Sequence, residues 1–104
     1  MVKIGNWRDP ELTEAVLIWS GYGSSNFPRR GNLEVQKRFG PDANKWISTI
    51  NLLVEYFYET EANMKAEDIS DMWSISIADF KAKFPDVPDD ITKALAWCYT
   101  FDNR

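Results

Sequence analysis

Residues 46–57 read WISTINLLVEYF, and this stretch decides the fold class. Its apolar side chains recur three and four residues apart, at Trp46, Ile50, Leu53 and Phe57. That spacing places all four on one face of an α-helix. The stretch therefore predicts an amphipathic helix that buries this face in a core.

The segments on either side contain further helix signals, each with its own start and stop. Asp9-Pro10-Glu11 supplies an N-cap before a proline at the first helical position. Gly40 can end a helix in the left-handed conformation, and Pro41 can start the next one. The predicted helices run from Asp9 to Gly21, from Asn32 (as N-cap) to Phe39, from Pro41 to about Thr60, from about Ala66 to Pro85 and from Pro88 onwards, with a loop around Glu61–Lys65.

No segment predicts a convincing strand, and no internal repeat is present. We therefore expect an all-α fold, a compact antiparallel bundle of about five helices that forms a single domain over residues 1–104. Trp19, Trp46 and Trp73 fall on predicted inner faces, whereas Trp7 is expected to pack over one end of the bundle. The stripe on the fourth helix is predicted to begin at Ile69.

The composition indicates the cellular compartment to expect and the kind of core that the chain can form. The chain has 104 residues, of which 44% are hydrophobic, so a core can form without disulfides. Its one cysteine, Cys98, lies in an apolar segment and is expected to be a buried thiol. The N-terminal residues do not resemble a signal peptide, and no run reaches the roughly 20 apolar residues of a membrane helix. A reducing cytoplasm is the expected location, with no membrane partner.

The absence of histidine removes most catalytic and metal-binding arrangements. Ser-His and Cys-His pairs and histidine-ligated metal sites are excluded, and no calcium-loop pattern is present. Glu67 and Asp71 share a helix face, but the expected use of such carboxylates is solvation or binding rather than acid–base catalysis. We therefore expect no enzyme activity, no catalytic residue, no cofactor and no metal site.

Acidic side chains are concentrated in one segment of the chain. Between Glu55 and Asp71 there are six carboxylates and one lysine, with aromatic and apolar residues among them. Residues 46–104 carry a net charge of −6, whereas residues 1–45 carry +2. Such a surface attracts basic protein partners and repels phosphate. The candidate partner-binding residues are Glu55, Tyr58, Glu59, Glu61, Glu67, Asp68 and Asp71.

The segment 20–31 contains glycines, aromatic residues and two arginines, and is interpreted as an ordered loop. Its sequence GYGSS, residues 21–25, lacks the spacing of either common phosphate-binding loop. The basic cluster of Arg29, Arg30, Lys37 and Arg38 is not interleaved with stacking aromatics, so no direct nucleic-acid binding is expected. One of these arginines is expected to bridge the loop to an acid on a neighbouring helix. Tyr22, Phe27 and Tyr58 are the aromatic residues that best suit an interface.

The acidic, aromatic-bearing segment 55–61 (EYFYETE) and the carboxylates of Glu67, Asp68 and Asp71 give the chain a resemblance to a known class of proteins. It resembles the small acidic immunity proteins that bacteria pair with secreted antibacterial toxins, including contact-dependent inhibition toxins and nuclease bacteriocins. The resemblance is one of type over the whole chain and rests on no defined motif. It implies a protein that binds a cognate toxin, with a basic nuclease domain as the expected target, and covers its active-site region with an acidic face.

Three other functions remain open at this point. A nucleic-acid mimic that inhibits a DNA-binding protein would share the acidic surface, although such proteins usually carry more negative charge than −4. A helical adaptor subunit of a larger assembly has no sequence feature against it. A small enzyme that uses carboxylates with Arg29 and Arg30 is disfavoured by the absence of histidine and of any defined motif.

Overall fold

The computed structural model describes residues 8–103, and every regular element within that range is helical. The prediction of an all-α fold is confirmed for this part of the chain. The Cα radius of gyration of 13.3 Å matches the roughly 13 Å of a compact chain of this size. The helices are α1 (Pro10–Ser20), α2 (Asn32–Phe39), α3 (Ala43–Phe57), α4 (Ala62–Lys65), α5 (Ile69–Lys83) and α6 (Asp89–Asp102), with a 3₁₀ segment (Gly40–Asp42) between α2 and α3.

The bounds of α1 follow from its capping residues, as predicted. The Asp9 carboxylate accepts a hydrogen bond from the Glu11 backbone N–H at 2.9 Å, and Pro10 occupies the first turn. Gly21 ends the helix in the left-handed conformation, with φ of +80°. A residue with a β-carbon would be strained there, so the glycine sets the end of α1.

The junction between α2 and α3 departs from the prediction in two details. Gly31, not Asn32, is the N-cap of α2, and no side chain caps this helix. Gly40 has φ of +57° and ψ of −123°, so its φ is positive but its conformation is not left-handed helical. The chain turns through the 3₁₀ segment instead, and α3 begins at Ala43.

Helix α3 buries the face that the sequence predicts. Trp46, Ile50, Leu53 and Phe57 are all buried. The helix ends at Phe57 rather than near Thr60, because the next residues turn back toward α5. The Thr60 hydroxyl donates to Asp79 on α5 there.

The segment after α3 differs most from the prediction. The expected loop at 61–65 contains the one-turn helix α4, so the predicted number of about five helices is slightly off. Ala62 is fully buried, and the Asn63 backbone N–H donates to the Tyr99 hydroxyl at 3.0 Å, which holds this turn against α6. Helix α5 begins at Ile69 instead of near Ala66, since the Asp68 carboxylate caps it. Ile69 is consequently outside the buried stripe that it was predicted to start.

Helix α6 lies at the centre of the molecule and contacts α1, α3 and α5. Tyr99 on α6 packs against Phe57, which in turn packs against Phe80 of α5, with ring centroids 5.9 and 5.0 Å apart. Cys98 is buried, as predicted. No helix within residues 8–103 has the length and apolarity needed to cross a membrane.

The tryptophan predictions are mostly confirmed. Trp19 and Trp46 are buried, whereas Trp73 is only partly buried against the core. Tyr22 packs beside Trp73 and Trp97, with centroid distances of 6.3 and 5.6 Å. The prediction for Trp7 lies outside the described residues.

Candidate functional site

The seven predicted partner-binding residues lie on the surface but not in one place. All six carboxylates are exposed, and Tyr58 is half-buried. Their contacts divide them between two regions at different positions along α5. We call these regions the acidic cleft and the acidic corner, and Glu55 on the exposed side of α3 belongs to neither.

The acidic cleft is a concave site between the end of α3, α4 and the C-terminal half of α5. Its volume is about 400 Å³. Lys83 Nζ lies 3.9 Å from Glu59 Oε2, and Lys65 Nζ lies 3.8 Å from Glu61 Oε2. These pairs are exposed and weak, so a basic partner can displace the lysines at little cost. The cleft is lined by Glu59, Thr60, Glu61, Lys65, Asp79, Ala82 and Lys83.

The acidic corner is the segment 64–71, where α4 ends and α5 begins. The Asp68 carboxylate accepts a hydrogen bond from the Asp71 backbone N–H at 2.8 Å and caps α5. The Asp71 carboxylate lies in the first turn of α5, where the helix dipole favours negative charge. Met64 and Ile69 in the same segment are 81% and 49% exposed. The corner therefore combines carboxylates with two large apolar side chains in solvent.

The two regions adjoin at the end of α4. The cleft extends to Asp79 and Lys83 in the C-terminal half of α5, whereas the corner uses the capping residue and first turn of that helix. Lys65 lines the cleft and also lies in the segment 64–71 that forms the corner. A single protein partner of ordinary size can therefore cover both regions.

Tyr58 is already engaged inside the molecule. Its hydroxyl donates to Asp102 Oδ2 at 2.6 Å, and its ring packs edge-on against Tyr99 with centroids 5.2 Å apart. Burial, together with the hydrogen bond to Asp102, raises the pKa of Tyr58 above its ordinary value. Asp102 also forms an ion pair with Arg30, which confirms that one arginine of loop 20–31 bridges to an acid on a neighbouring helix. Only the exposed part of the Tyr58 ring is left for a partner.

The remaining chemistry of the described residues is limited. Burial raises the pKa of the Cys98 thiol to about 11, so the thiol is neutral and inaccessible at pH 7. Within residues 8–103, no three cysteine, aspartate or glutamate side chains converge where they could hold a metal ion. The backbone N–H groups of Ser24 and Ser25 donate to the Gly21 carbonyl, which agrees with the interpretation of 21–25 as a turn.

A concave site larger than the acidic cleft is one that the sequence did not predict. It lies between α1, the loop 20–31 and α2, and its volume is about 660 Å³. The basic cluster and the glycine-containing loop are both visible in the sequence. Their convergence on the outer face of α1 depends on the packing of α1 against α2, which no local pattern indicates. We call this site the α1–α2 groove, and its main lining residues are Leu17, Ile18, Tyr22, Arg29, Lys37 and Arg38.

Comparison of the chain with protein-family models, curated proteins and solved structures finds no match. The function must therefore be argued from the residues themselves.

Proposed function

We propose that this protein is an immunity protein, which binds and neutralises a cognate antibacterial toxin. The partner we propose is a basic nuclease domain, whose active-site region is covered by the acidic cleft and the acidic corner together. Neutralisation of a nuclease would take place in the cytoplasm, where its nucleic-acid substrate is. The protein would act by steric and electrostatic exclusion of that substrate, without catalysis.

The observation that carries this proposal is the composition of the acidic corner. Met64 and Ile69 expose large apolar surfaces beside the carboxylates of Glu67 and Asp71. Apolar side chains surrounded by polar ones are typical of protein interfaces, where the centre supplies most of the binding energy. An acidic face whose only role is solvation would not require two large exposed apolar side chains.

The charge distribution supports a basic partner. The half of the chain that contains the cleft and the corner has a net charge of −6. Complementary charge speeds the encounter of two proteins, up to about 10⁸–10⁹ M⁻¹s⁻¹ at low salt. The lysines of the cleft are held only by weak exposed pairs, so the arginine or lysine side chains of a toxin can replace them at Glu59 and Glu61.

Co-expression with the product of the neighbouring gene tests the proposal. The tagged protein is purified, and we expect a stoichiometric, salt-sensitive complex with a basic toxin domain whose nuclease activity is blocked. Recovery of a DNA-binding protein that DNA displaces would instead favour a nucleic-acid mimic. If the tagged protein neither binds nor inhibits the neighbouring product, the proposal is wrong.

Variants of the acidic corner then locate the interface. We expect Met64→Ser/Ile69→Ser to weaken toxin binding by about thirtyfold or more, since two apolar contacts near the centre of an interface together contribute about 2 kcal/mol or more. Both side chains are exposed, so the folded protein should tolerate the change. The matched control is Phe27→Ser/Leu33→Ser, which removes two exposed apolar side chains from loop 20–31 and α2. Equal loss in both variants would contradict the assignment to the corner.

A further inference from the structure

The α1–α2 groove has a charge opposite to that of the acidic cleft and corner. Two of its cations are paired within the groove. Arg38 forms two hydrogen bonds with Glu14, of which the Nη2–Oε1 bond is 3.3 Å long. Lys37 Nζ lies 4.0 Å from Glu34 Oε1, at the outer limit of an ion pair.

Arg29 is the cation of the groove that takes part in neither of these ion pairs. Its Nη2 donates to the Ser24 hydroxyl at 3.1 Å, and no carboxylate within residues 8–103 lies within ion-pairing distance of it. Its side chain rests against the backbone of Gly21, where an added β-carbon would lie 2.8 Å from Arg29 Nε. The guanidinium is therefore held in position above the groove without a charged partner. Arginine in that state is well suited to a carboxylate, which it can bind through two parallel hydrogen bonds.

Apolar surface lies beside this charge. Leu17, Ile18 and Tyr22 form the floor of the groove and are only partly buried. The loop and α2, which form its sides, also carry Phe27 and Leu33, which are 57% and 60% exposed. A ligand of the groove would thus contact apolar side chains and one fixed cation at once.

We propose that the α1–α2 groove binds an acidic amphipathic segment of a partner protein, with apolar residues on the floor and a carboxylate on Arg29. The groove is open, since Gly23, Ser24, Arg29 and Lys37 are all exposed, and a small molecule would remain largely in solvent there. An amphipathic helix or extended segment can cover the floor and the exposed side chains beside it. This site is separate from the acidic cleft and corner and does not depend on the proposed immunity function.

The experiment uses two synthetic peptides as probes of the isotope-labelled protein. Both have leucines at i, i+3, i+4 and i+7, and they differ only in having glutamate or lysine at the intervening positions. We expect the glutamate peptide to shift the backbone amide signals of Gly23, Ser24 and α2 saturably, and the lysine peptide not to. Equal shifts of these groove signals by both peptides, shifts by the glutamate peptide confined to other helices, or no saturation by about 1 mM would overturn the proposal.

Two variants and a matched control assign the interaction to the groove. Arg29→Gln/Lys37→Gln should weaken binding of the glutamate peptide by about tenfold or more. Leu33→Ser, on the exposed side of α2, should weaken it by about threefold or more. Lys81→Gln/Lys83→Gln removes the same charge from α5 and should leave the affinity unchanged. An equal loss in the α5 variant would show a general charge effect and contradict the groove.

Discussion

Helices α5 and α6 have almost the same length but are used in different ways. Eight of the 14 residues of α6 are buried, whereas only three of the 15 residues of α5 are, namely Met72, Ser76 and Phe80. Helix α6 is enclosed by its contacts with α1, α3 and α5. Helix α5 buries one narrow stripe, has Trp73, Ile75 and Ile77 partly buried beside it, and presents its other positions mainly to solvent.

This difference separates residues that stabilise the fold from residues available for binding. On α6 the sequence must satisfy packing in nearly every direction, so small side chains such as Ala94 and Ala96 occupy positions near other helices. On α5 many outer positions are free of that demand, and they include Asp71 of the corner and Asp79 of the cleft, whereas the other carboxylates of the two regions lie in the residues before this helix. The predictions below test this contrast.

The largest effect is expected from a cavity in α6. Leu95→Ala removes a fully buried side chain and should lower the free energy of unfolding by about 2–5 kcal/mol. The matched change on α5 is Ile69→Ala, which truncates a half-exposed side chain and should cost less than about 1 kcal/mol. Urea unfolding monitored by circular dichroism measures both. Similar losses in the two variants would mean that α5 and α6 do not differ as described.

A smaller effect is expected at the N-cap of α5. Asp68→Ala removes the hydrogen bond to the Asp71 backbone N–H and should cost about 0.5–2 kcal/mol. Asp68→Ser keeps a capping oxygen but removes the charge, so it should retain most of the stability. The serine variant therefore separates the capping role of Asp68 from its contribution to the acidic corner. Equal destabilisation in both variants would assign the effect to the lost charge.

The Tyr58–Asp102 hydrogen bond should contribute less than a buried packing contact. Tyr58→Phe keeps the ring but removes the hydroxyl donor, and should lower the free energy of unfolding by about 0.5–1.5 kcal/mol. Tyr56→Phe is the control, because Tyr56 on α3 is also partly buried and its hydroxyl makes no hydrogen bond within residues 8–103. A loss no greater than that of the control would show that the bond does not stabilise the fold.

The free energy of unfolding is expected to depend on pH on the alkaline side of neutrality. Burial raises the pKa of the Cys98 thiol from 9.0 to about 11, so the folded state keeps a proton that the unfolded state loses. The stabilising contribution of the Cys98 thiol is therefore fully present below about pH 9, and it is lost as the pH rises toward 11. In Cys98→Ala the decline should begin only near pH 10, where Tyr58, whose pKa is also raised by burial, starts to contribute. Unfolding curves from pH 7 to 11 for both proteins measure the difference, and identical profiles would contradict it.

The parts of the fold that could be predicted from the sequence are those that local residue patterns determine. The α3 stripe and the Asp9 and Gly21 caps are local, and the structure has them where the pattern placed them. The start of α5 was predicted near Ala66, but the helix begins after Asp68. The sequence allows either start, and only the hydrogen bond accepted by the Asp68 carboxylate decides between them. Helix α4 was missed because its one turn is held by Tyr99, which is 36 residues away in sequence.

The candidate site was predictable in composition but not in arrangement. The sequence indicated the exposed carboxylates, and their exposure follows from the cost of burying charge. It could not show that Glu59 and Glu61 line a cleft together with Asp79, or that this cleft adjoins the corner at Lys65. The α1–α2 groove likewise depends on packing between helices that are distant in sequence.

The central claim is that the acidic cleft and the acidic corner together bind a basic toxin domain. Its most direct test is the association rate constant with that domain, measured by stopped flow over a range of salt concentrations. The variant Glu59→Lys/Glu67→Lys changes one residue of each region and no helix cap, and the control Glu11→Lys/Glu34→Lys changes as many charges elsewhere, also without changing a cap. We predict about tenfold or more slower association of the first variant at low salt, with a flatter salt dependence, and a clearly smaller change in the control. Equal slowing of both variants, or none in the first, would contradict the claim.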